Sequence, residues 1–154
     1  MEQINSKQDI INYFEKGCKK ENQLCIGVEH EKFIFDNLTN QRINFETVSK
    51  IFNFLEQFGW KPIKEKDYVI GLSREGQSIT LEPGNQIELS GAKLNSVHLN
   101  CSESYKYLDE LRKACKKLNL KMMSVGFDPF TKLENVPQTP KQRYEIMNEE
   151  MLKG

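Results

Sequence analysis

The sequence predicts an α+β fold in which helices lie on one face of an antiparallel sheet. Residues 60–91 alternate between apolar and polar side chains and contain short turns, a pattern typical of neighbouring antiparallel strands. The segments before and after them repeat apolar residues every three or four positions, as amphipathic helices do. The length of 154 residues indicates one domain, or a piece of a larger one. The predicted elements, in chain order, are a helix over residues 7–20, a strand over 24–36, a helix over 45–58, strands over 68–73, 78–82 and 86–90, a helix over 96–118, a strand over 121–126 and a helix from 141 to the end.

Capping and stop signals define the helices. Ser6, followed by Asp9, begins the first helix, and Gly59 ends the second. Ser96 caps the third and longest helix, and a loop with three prolines over residues 127–140 precedes the fourth. The third helix is expected to face the core with Val97, Cys101, Leu108, Leu111, Cys115 and Leu118.

Turn residues separate the central strands. Residues 74–77 form a tight connection, and Pro83-Gly84-Asn85 forms the next turn. Alternation within the two strands that flank this second turn places Glu82 and Glu88 on polar faces. The two carboxylates are therefore expected on neighbouring strands, one on either side of the turn.

The first strand, LCIGVEHEKFIFD, is the stretch around which the rest of the chain is organised. Because successive side chains of a strand point to opposite faces, Glu29 and Glu31 share one face. Their Cα atoms are expected to be roughly 6.5–7 Å apart. His30 lies on the other, mostly apolar face, and is expected to be a structural residue of the core rather than a ligand.

Four glutamates thus occupy polar strand faces: Glu29, Glu31, Glu82 and Glu88. If these faces coincide, the carboxylates converge and require cations, and Mg²⁺ is suited to carboxylate oxygens. Mg²⁺ in such a site keeps waters and substrate phosphates as further ligands, so phosphoryl transfer is the expected chemistry. No Walker-type GxxxxGK[ST] motif is present, so a P-loop would not hold the nucleotide. The alternative is an exposed strand face whose acids pair with lysines.

The composition argues against several classes of partner. The 22 basic and 22 acidic residues balance, and no long block of like charge suggests a nucleic acid or a membrane surface. No apolar run approaches the roughly 20 residues of a membrane span, and no secretory or organelle signal is recognisable. The four cysteines and two histidines are scattered, which argues against zinc. Buried free thiols are expected, and with them a reducing, cytoplasmic setting.

Three stretches resemble the N-terminal signatures of glutamate–cysteine ligases of the plant and proteobacterial type. They are IGVEHEKFIF, GLSREGQSITLEPGNQIELSGA and PKQRYEIM, and they occur in the family's order with similar spacing. The resemblance implies that residues 1–154 are the N-terminal part of a glutamine-synthetase-like ligase domain. In that fold, the acidic concave side of a curved antiparallel sheet holds Mg²⁺ and ATP.

The resemblance also implies an activity and a set of site residues. In such enzymes ATP phosphorylates the γ-carboxylate of glutamate, and the amine of cysteine displaces phosphate, which is the first step towards glutathione. Arg143 and Tyr144 are implied as contacts to substrate or phosphate, since a planar guanidinium suits an anion. The implied metal ligands are Glu29, Glu31 and Glu88, with Glu82 acting through water or on a substrate ammonium.

The sequence departs from the family pattern in two respects. The second glycine of the usual EPGGQ is Asn85, which tolerates positive φ better than most residues, so the turn is expected to survive. Members of the family are also far longer, so this chain alone is not expected to complete a turnover. Two other functions stay open: another carboxylate–amine ligase or kinase on the same fold, or an inactive truncated fragment that binds metal or nucleotide.

Overall fold

The computed structural model describes residues 3–151 and confirms the predicted α+β class. The elements are α1 (Lys7–Gly17), β1 (Glu29–Asp36), α2 (Phe45–Leu55), β2 (Lys61–Glu65), β3 (Tyr68–Arg74), β4 (Gln77–Glu82), β5 (Gln86–Ser90), α3 (Val97–Lys117), β6 (Leu120–Met123) and α4 (Gln142–Met151). The six strands form one antiparallel sheet in the order β2-β3-β4-β5-β1-β6. Among residues 3–151, no helix has both the length and the apolar content that crossing a membrane requires.

The predicted element boundaries are close to the observed ones, with local differences. β1 begins later than predicted, at Glu29, and only an isolated bridge precedes it. α1 ends at Gly17 because Cys18 is extended, with φ −68° and ψ 122°. α4 is described as far as Met151, and the rest of the helix predicted from residue 141 to the end lies outside the described residues.

The edge strand β2 is absent from the sequence prediction. Its sequence, KPIKE, contains a proline and three charged residues, a composition typical of a protected edge rather than of a central strand. Its pairing with β3 shifts register between Ile63 and Lys64. Such an irregular, charged edge strand has no clear alternation of apolar and polar residues, which is why this alternation did not predict β2.

One face of the sheet forms the hydrophobic core together with α2 and α3. The inward residues of β4 and β5 alternate along each strand as predicted, and they are fully buried: Ile79, Leu81, Ile87 and Leu89. They pack with apolar residues of α2, among them Ile51 and Phe52, and with Leu111 of α3. Burial of each such side chain contributes roughly 1.5–3 kcal/mol. The core therefore lies on the helix side and leaves the other face of the sheet for polar groups.

The buried face of α3 differs from the predicted apolar stripe. Val97 and Cys101 are exposed. The buried residues of this helix include four with polar side chains, Asn100, Glu103, Tyr107 and Glu110. Glu110 accepts hydrogen bonds from Trp60 Nε1 at 2.8 Å and from Arg74 Nη1 at 2.9 Å. Hydrophobic periodicity misses Glu110 because a polar atom can be buried once it is paired.

The expectation of buried thiols is wrong for three of the four cysteines. Cys18, Cys25 and Cys101 are exposed, and only Cys115 is buried; all four are free. Cys18 directly follows α1, a helix with no buried residue, so this segment offers no core to cover it. Burial raises the pKa of Cys115 to about 11, as expected for an inert core thiol.

Candidate functional site

The sheet face opposite the helices carries the predicted carboxylates. Glu31 lies directly opposite Glu88 in the β1–β5 register, and Glu88 lies directly opposite Thr80 in the β4–β5 register. Residues directly opposite each other in an antiparallel pair point to the same face, with Cβ atoms about 4.5–5.5 Å apart. The register and the alternation together place on one face Glu29, Glu31, Glu82 and Glu88. This is the arrangement that strand parity predicts.

Two of these carboxylates are held by neutral neighbours on the same face. Thr80 Oγ1 donates to Glu88 Oε2 at 3.0 Å, and Gln86 Nε2 donates to Glu31 Oε2 at 2.6 Å. Glu29 makes no hydrogen bond or ion pair with any other residue in the described range 3–151. We call the face formed by Glu29, Glu31, Glu82 and Glu88 with these neighbours the acidic face.

Glu88 of the acidic face has a raised pKa. Partial burial raises its pKa above the ordinary value, and the nearby carboxylates of Glu82, Glu29 and Glu31 raise it further. The hydrogen bond from Thr80 acts in the opposite direction and favours the ionised form. The three other carboxylates therefore lie close enough to Glu88 to repel its charge, and a bound cation would relieve that repulsion.

Arg143 and Tyr144 meet Glu82 at one end of the acidic face. Arg143 Nη2 donates to Glu82 Oε1 at 3.0 Å and to the Tyr144 hydroxyl at 2.7 Å. The Tyr144 hydroxyl lies 3.2 Å from the Leu81 carbonyl oxygen and 3.3 Å from Glu82 Oε2. Arg143 is exposed, whereas Tyr144 is buried. A buried tyrosine thus fixes an exposed guanidinium beside a carboxylate.

Lys141, which the sequence reasoning did not single out, lies beneath this cluster. Its side chain is buried, and its ammonium group donates to the Leu81 carbonyl oxygen. β3 pairs with β4 only as far as Ile79, and beyond that residue the Leu81 carbonyl accepts from the side chains of Lys141 and Tyr144. Burial lowers the pKa of Lys141, and the positive charge of Arg143 lowers it further. The carboxylates of Glu82, Glu88 and Glu65 act in the opposite direction and raise it.

The loop over residues 124–141 covers the acidic side of the sheet near β6. Phe35 packs against Phe130 with ring centroids 5.5 Å apart, and the Arg42 guanidinium lies 4.3 Å from the centre of the Phe33 ring. Arg42 also forms a 3.1 Å ion pair with Asp128 of the loop. The apolar part of β1, with Phe33 and Phe35, is therefore buried, whereas Glu29 and Glu31 of the same strand face are exposed to solvent.

Lysines lie near the opposite end of the acidic face. A hollow of about 410 Å³ beside Glu29 is lined in part by Lys19, Lys93 and Ser90. Both lysines are exposed, so they are solvated rather than paired with the glutamates. The acidic face is thus flanked by positive charge at both ends. This differs from the alternative prediction of an exposed strand face whose acids pair with lysines, since no ion pair among residues 3–151 joins a lysine to one of these four glutamates.

The fit to a divalent cation depends on the donor set. Carboxylate oxygens are the ligands that Mg²⁺ takes in proteins, and three of them here come from neighbouring strands. Within residues 3–151, however, no three His, Cys, Asp or Glu side chains lie near enough together to form a metal site as they stand. Glu31 is turned to Gln86 and Glu88 to Thr80. The donor atoms suit Mg²⁺ chemically, but the carboxylates are not gathered around a common point in this structure.

Sequence reasoning found the main acidic residues but not their neighbours. Thr80 and Gln86 share the polar parity of the adjacent glutamates, and this signal could have found them. Lys141 belongs to the same PKQRY stretch as Arg143. His30 lies on the helix side as predicted, half-buried, with Nε2 3.1 Å from the Ser104 hydroxyl, so it is separated from the acidic face by the sheet.

Comparison with known proteins adds an independent observation. The model of the family described as glutamate-cysteine ligase family 2 matches residues 25–153. The chain is 39% identical to the chloroplastic glutamate–cysteine ligase of Medicago truncatula over 149 residues, which cover 96% of the chain and 29% of that protein. It is 37% identical to the chloroplastic ligase of Arabidopsis thaliana and 40% identical to ligase A of Oryza sativa subsp. japonica, again over 96% of the chain, and over 28% and 30% of those proteins. The chain spans less than a third of the length of these curated relatives.

The comparisons overturn the expected location. The sequence reasoning led to a cytoplasmic setting, whereas these relatives are named as chloroplastic proteins. Free thiols do not discriminate between one reducing compartment and another, so the inference had no physical basis beyond redox state.

Proposed function

The chain belongs to the glutamate–cysteine ligase family 2, and we propose on that premise that it supplies the N-terminal part of an ATP-dependent ligase site. This site would join the γ-carboxylate of glutamate to the amine of cysteine, as the first step of glutathione biosynthesis. The observation that carries the proposal is the shared acidic face, where Glu31 lies opposite Glu88 and Glu29 lies beside them.

The proposed reaction has two steps. The γ-phosphoryl group of ATP passes to an oxygen of the glutamate γ-carboxylate, which gives γ-glutamyl phosphate and ADP. The cysteine nitrogen then attacks the acyl carbon, the C–O bond to phosphate breaks, and the nitrogen loses a proton as the amide forms. Mg²⁺, when bound, would neutralise charge on the phosphate oxygens.

The residues of this chain have distinct roles in the proposal. Glu29, Glu31 and Glu88 would hold the metal, because their carboxylates lie on one face and Glu88 is repelled by the other two without a cation. Arg143 would bind a carboxylate or phosphate of the substrate with the guanidinium edge that Glu82 leaves open. Tyr144 would orient Arg143 through its 2.7 Å hydrogen bond.

Glu82 is better suited to holding Arg143 than to binding metal. One of its carboxylate oxygens accepts from Arg143 and the other lies 3.3 Å from the Tyr144 hydroxyl. A carboxylate in an ion pair with a guanidinium is a weaker ligand for a cation, because the two positive charges compete for it. This role is consistent with the expectation from the sequence that Glu82 acts through water or on a substrate ammonium and not as a direct metal ligand.

Two alternative functions are distinguishable from the ligase. Another carboxylate–amine ligase or kinase would use the same acidic face with a different acceptor. A fragment that binds metal or nucleotide without turnover is the second alternative, and the short coverage of the relatives favours testing it directly.

The test is a coupled assay of ADP release on this chain and on a longer form that restores the length of its relatives. Glutamate is offered with cysteine, 2-aminobutyrate or ammonia. The ligase proposal predicts turnover of the longer form with cysteine, abolished by Glu88→Gln and unchanged by Glu15→Gln, a control at an exposed carboxylate of α1. Turnover only with another amine supports the first alternative. ATP binding without turnover in both forms supports the second.

A further inference from the structure

The turn between β4 and β5 contains a buried side-chain amide, that of Asn85, which the backbone conformation of the turn does not require. Asn85 has φ 59° and is 1% exposed. Glycine adopts this left-handed conformation readily, and Asn85 stands where the ligase signature usually has glycine. The amide side chain must therefore be explained by its contacts.

Those contacts join the turn to the segment before α4. Asn85 Nδ2 donates to the Ile43 carbonyl oxygen at 3.2 Å, and the Asn85 backbone N–H donates to Thr139 Oγ1 at 2.9 Å. Thr139 is 5% exposed. Its one hydroxyl hydrogen has two acceptors within 3.1 Å, the Glu82 carbonyl oxygen and Asn85 Oδ1. The pair is buried and its polar atoms are paired with each other.

Backbone hydrogen bonds connect Thr139 to the candidate site. The Lys141 N–H donates to the Thr139 carbonyl oxygen at 2.8 Å, and the Tyr144 N–H donates to the Lys141 carbonyl oxygen at 2.9 Å. Arg143 lies within this turn, with its guanidinium 3.0 Å from Glu82. A displacement of Thr139 would therefore move the start of α4 and the guanidinium with it.

We propose that Asn85 and Thr139 are a pair of positioning residues that hold the first turn of α4 against the acidic face. They act through Arg143 and Tyr144 and do not themselves touch substrate. This inference rests on the proposed function, in which Arg143 binds an anionic group of the substrate. In this chain a side-chain hydrogen bond joins Asn85 to Thr139. A glycine at position 85 would leave only the hydrogen bond from its backbone N–H.

Other contacts keep α4 attached when the pair is broken. Glu65 accepts from the Gln142 N–H at 2.6 Å, and Lys141 donates to the Leu81 carbonyl oxygen. Loss of the Asn85–Thr139 link should therefore loosen the start of α4 rather than unfold the chain.

Three variants of the full chain test the pair. Thr139→Val removes the hydroxyl at nearly constant volume, Thr139→Ser retains it, and Asn85→Gly removes the amide while retaining the positive φ. The first measurement is hydrogen–deuterium exchange of α4 amides, with α3 amides as the internal reference. The second is binding of L-glutamate in the presence of Mg²⁺ and ATP, by calorimetry.

Thr139→Val and Asn85→Gly are each expected to raise α4 exchange rates about 5- to 10-fold, without a change in α3, and to raise the Kd of glutamate by a similar factor. Thr139→Ser should restore both. Unchanged α4 exchange in Thr139→Val and Asn85→Gly, or a Thr139→Ser variant that behaves like Thr139→Val, overturns the proposal. If Thr139→Val also speeds exchange in α3, it has unfolded, and Asn85→Gly decides the question. Absence of glutamate binding in the wild-type chain counts against the proposed function, while exchange still decides the positioning role.

Discussion

Glu31 of β1 lies directly across the strand pair from Glu88 of β5, on the face of the sheet that the helices leave open. Like charges directly opposite each other destabilise an antiparallel pair. Hydrogen bonds from Gln86 and Thr80 to these carboxylates reduce the repulsion but do not neutralise the charge. The folded chain therefore holds an arrangement that a divalent cation would stabilise.

Removal of one of these charges should stabilise the metal-free chain. Glu88→Gln keeps an acceptor for Thr80 and removes the repulsion, so the free energy of unfolding in EDTA should rise by roughly 0.2–1 kcal/mol. Urea denaturation measures it, with Glu15→Gln as the control at an exposed carboxylate. A lower free energy of unfolding for Glu88→Gln in EDTA would show that the opposed carboxylates do not strain the sheet.

Arg143 should not be replaceable by lysine. Its Nη2 donates to both Glu82 and the Tyr144 hydroxyl, and the rest of the guanidinium can still donate to an anion, whereas a lysine has a single nitrogen for all three contacts. Arg143→Lys is expected to raise the Kd of glutamate at least about tenfold, a loss of about 1.4 kcal/mol. Arg112→Lys, at an exposed arginine of α3, is the control and should leave the Kd unchanged. Equal affinities of the two variants in calorimetry would remove Arg143 from the site.

The buried pair between Arg74 and Glu110 should be essential for stability. Their side chains are 6% and 5% exposed, and Glu110 also accepts from Trp60. Glu110→Gln leaves the Arg74 charge buried without a counter-ion and is expected to cost about 3–5 kcal/mol. Trp60 fluorescence during urea denaturation reports the change.

The control for that prediction is the exposed ion pair between Glu46 and Lys50, one turn apart on α2. Glu46→Gln should change the free energy of unfolding by less than about 1 kcal/mol. Similar losses of unfolding free energy in Glu110→Gln and Glu46→Gln would mean that burial does not increase the contribution of the Arg74–Glu110 pair to stability.

Asp128 should make the loop that covers β1 sensitive to acid. Burial acts to raise its pKa, but hydrogen bonds from Phe130, Thr131 and Arg42 outweigh it and lower the pKa below the ordinary 3.8. A lowered pKa in the folded state contributes stability that is present above 3.8 and is lost as the pH falls through the folded value. Asp128→Asn should be less stable than wild type at neutral pH, by about 1–3 kcal/mol, and the difference should shrink below pH 3.8. Urea denaturation across this range measures it, and a pH-independent difference contradicts the assignment.

Strand parity assigned each glutamate correctly to the polar face of its own strand, because the side-chain period of a strand is independent of its neighbours. Once Glu29, Glu31, Glu82 and Glu88 had been assigned to polar faces, short turns required β4 and β5 to be adjacent. The pairing of β1 with β5 joins residues far apart in the chain, and local pattern does not specify it. The register that places Glu31 opposite Glu88 therefore had to come from the structure.

Local pattern was least informative where polar groups are buried. Glu110 and Asn85 have polar side chains, yet each is buried against partners distant in the chain, Arg74 in one case and Thr139 in the other. The loop over residues 124–141 has no periodicity at all, and its position is fixed by contacts such as Arg42 with Asp128. Such contacts depend on the completed sheet.

Binding of Mg²⁺ in the presence of ATP, measured by calorimetry on the wild-type chain and on Glu31→Gln, Glu88→Gln and Glu15→Gln, tests the acidic face most directly. We expect the wild type and Glu15→Gln to bind with equal affinity, and the two variants of the opposed pair to bind at least about tenfold more weakly. Equal affinity in all four proteins, or no binding by the wild type, would contradict a metal-binding role for this face.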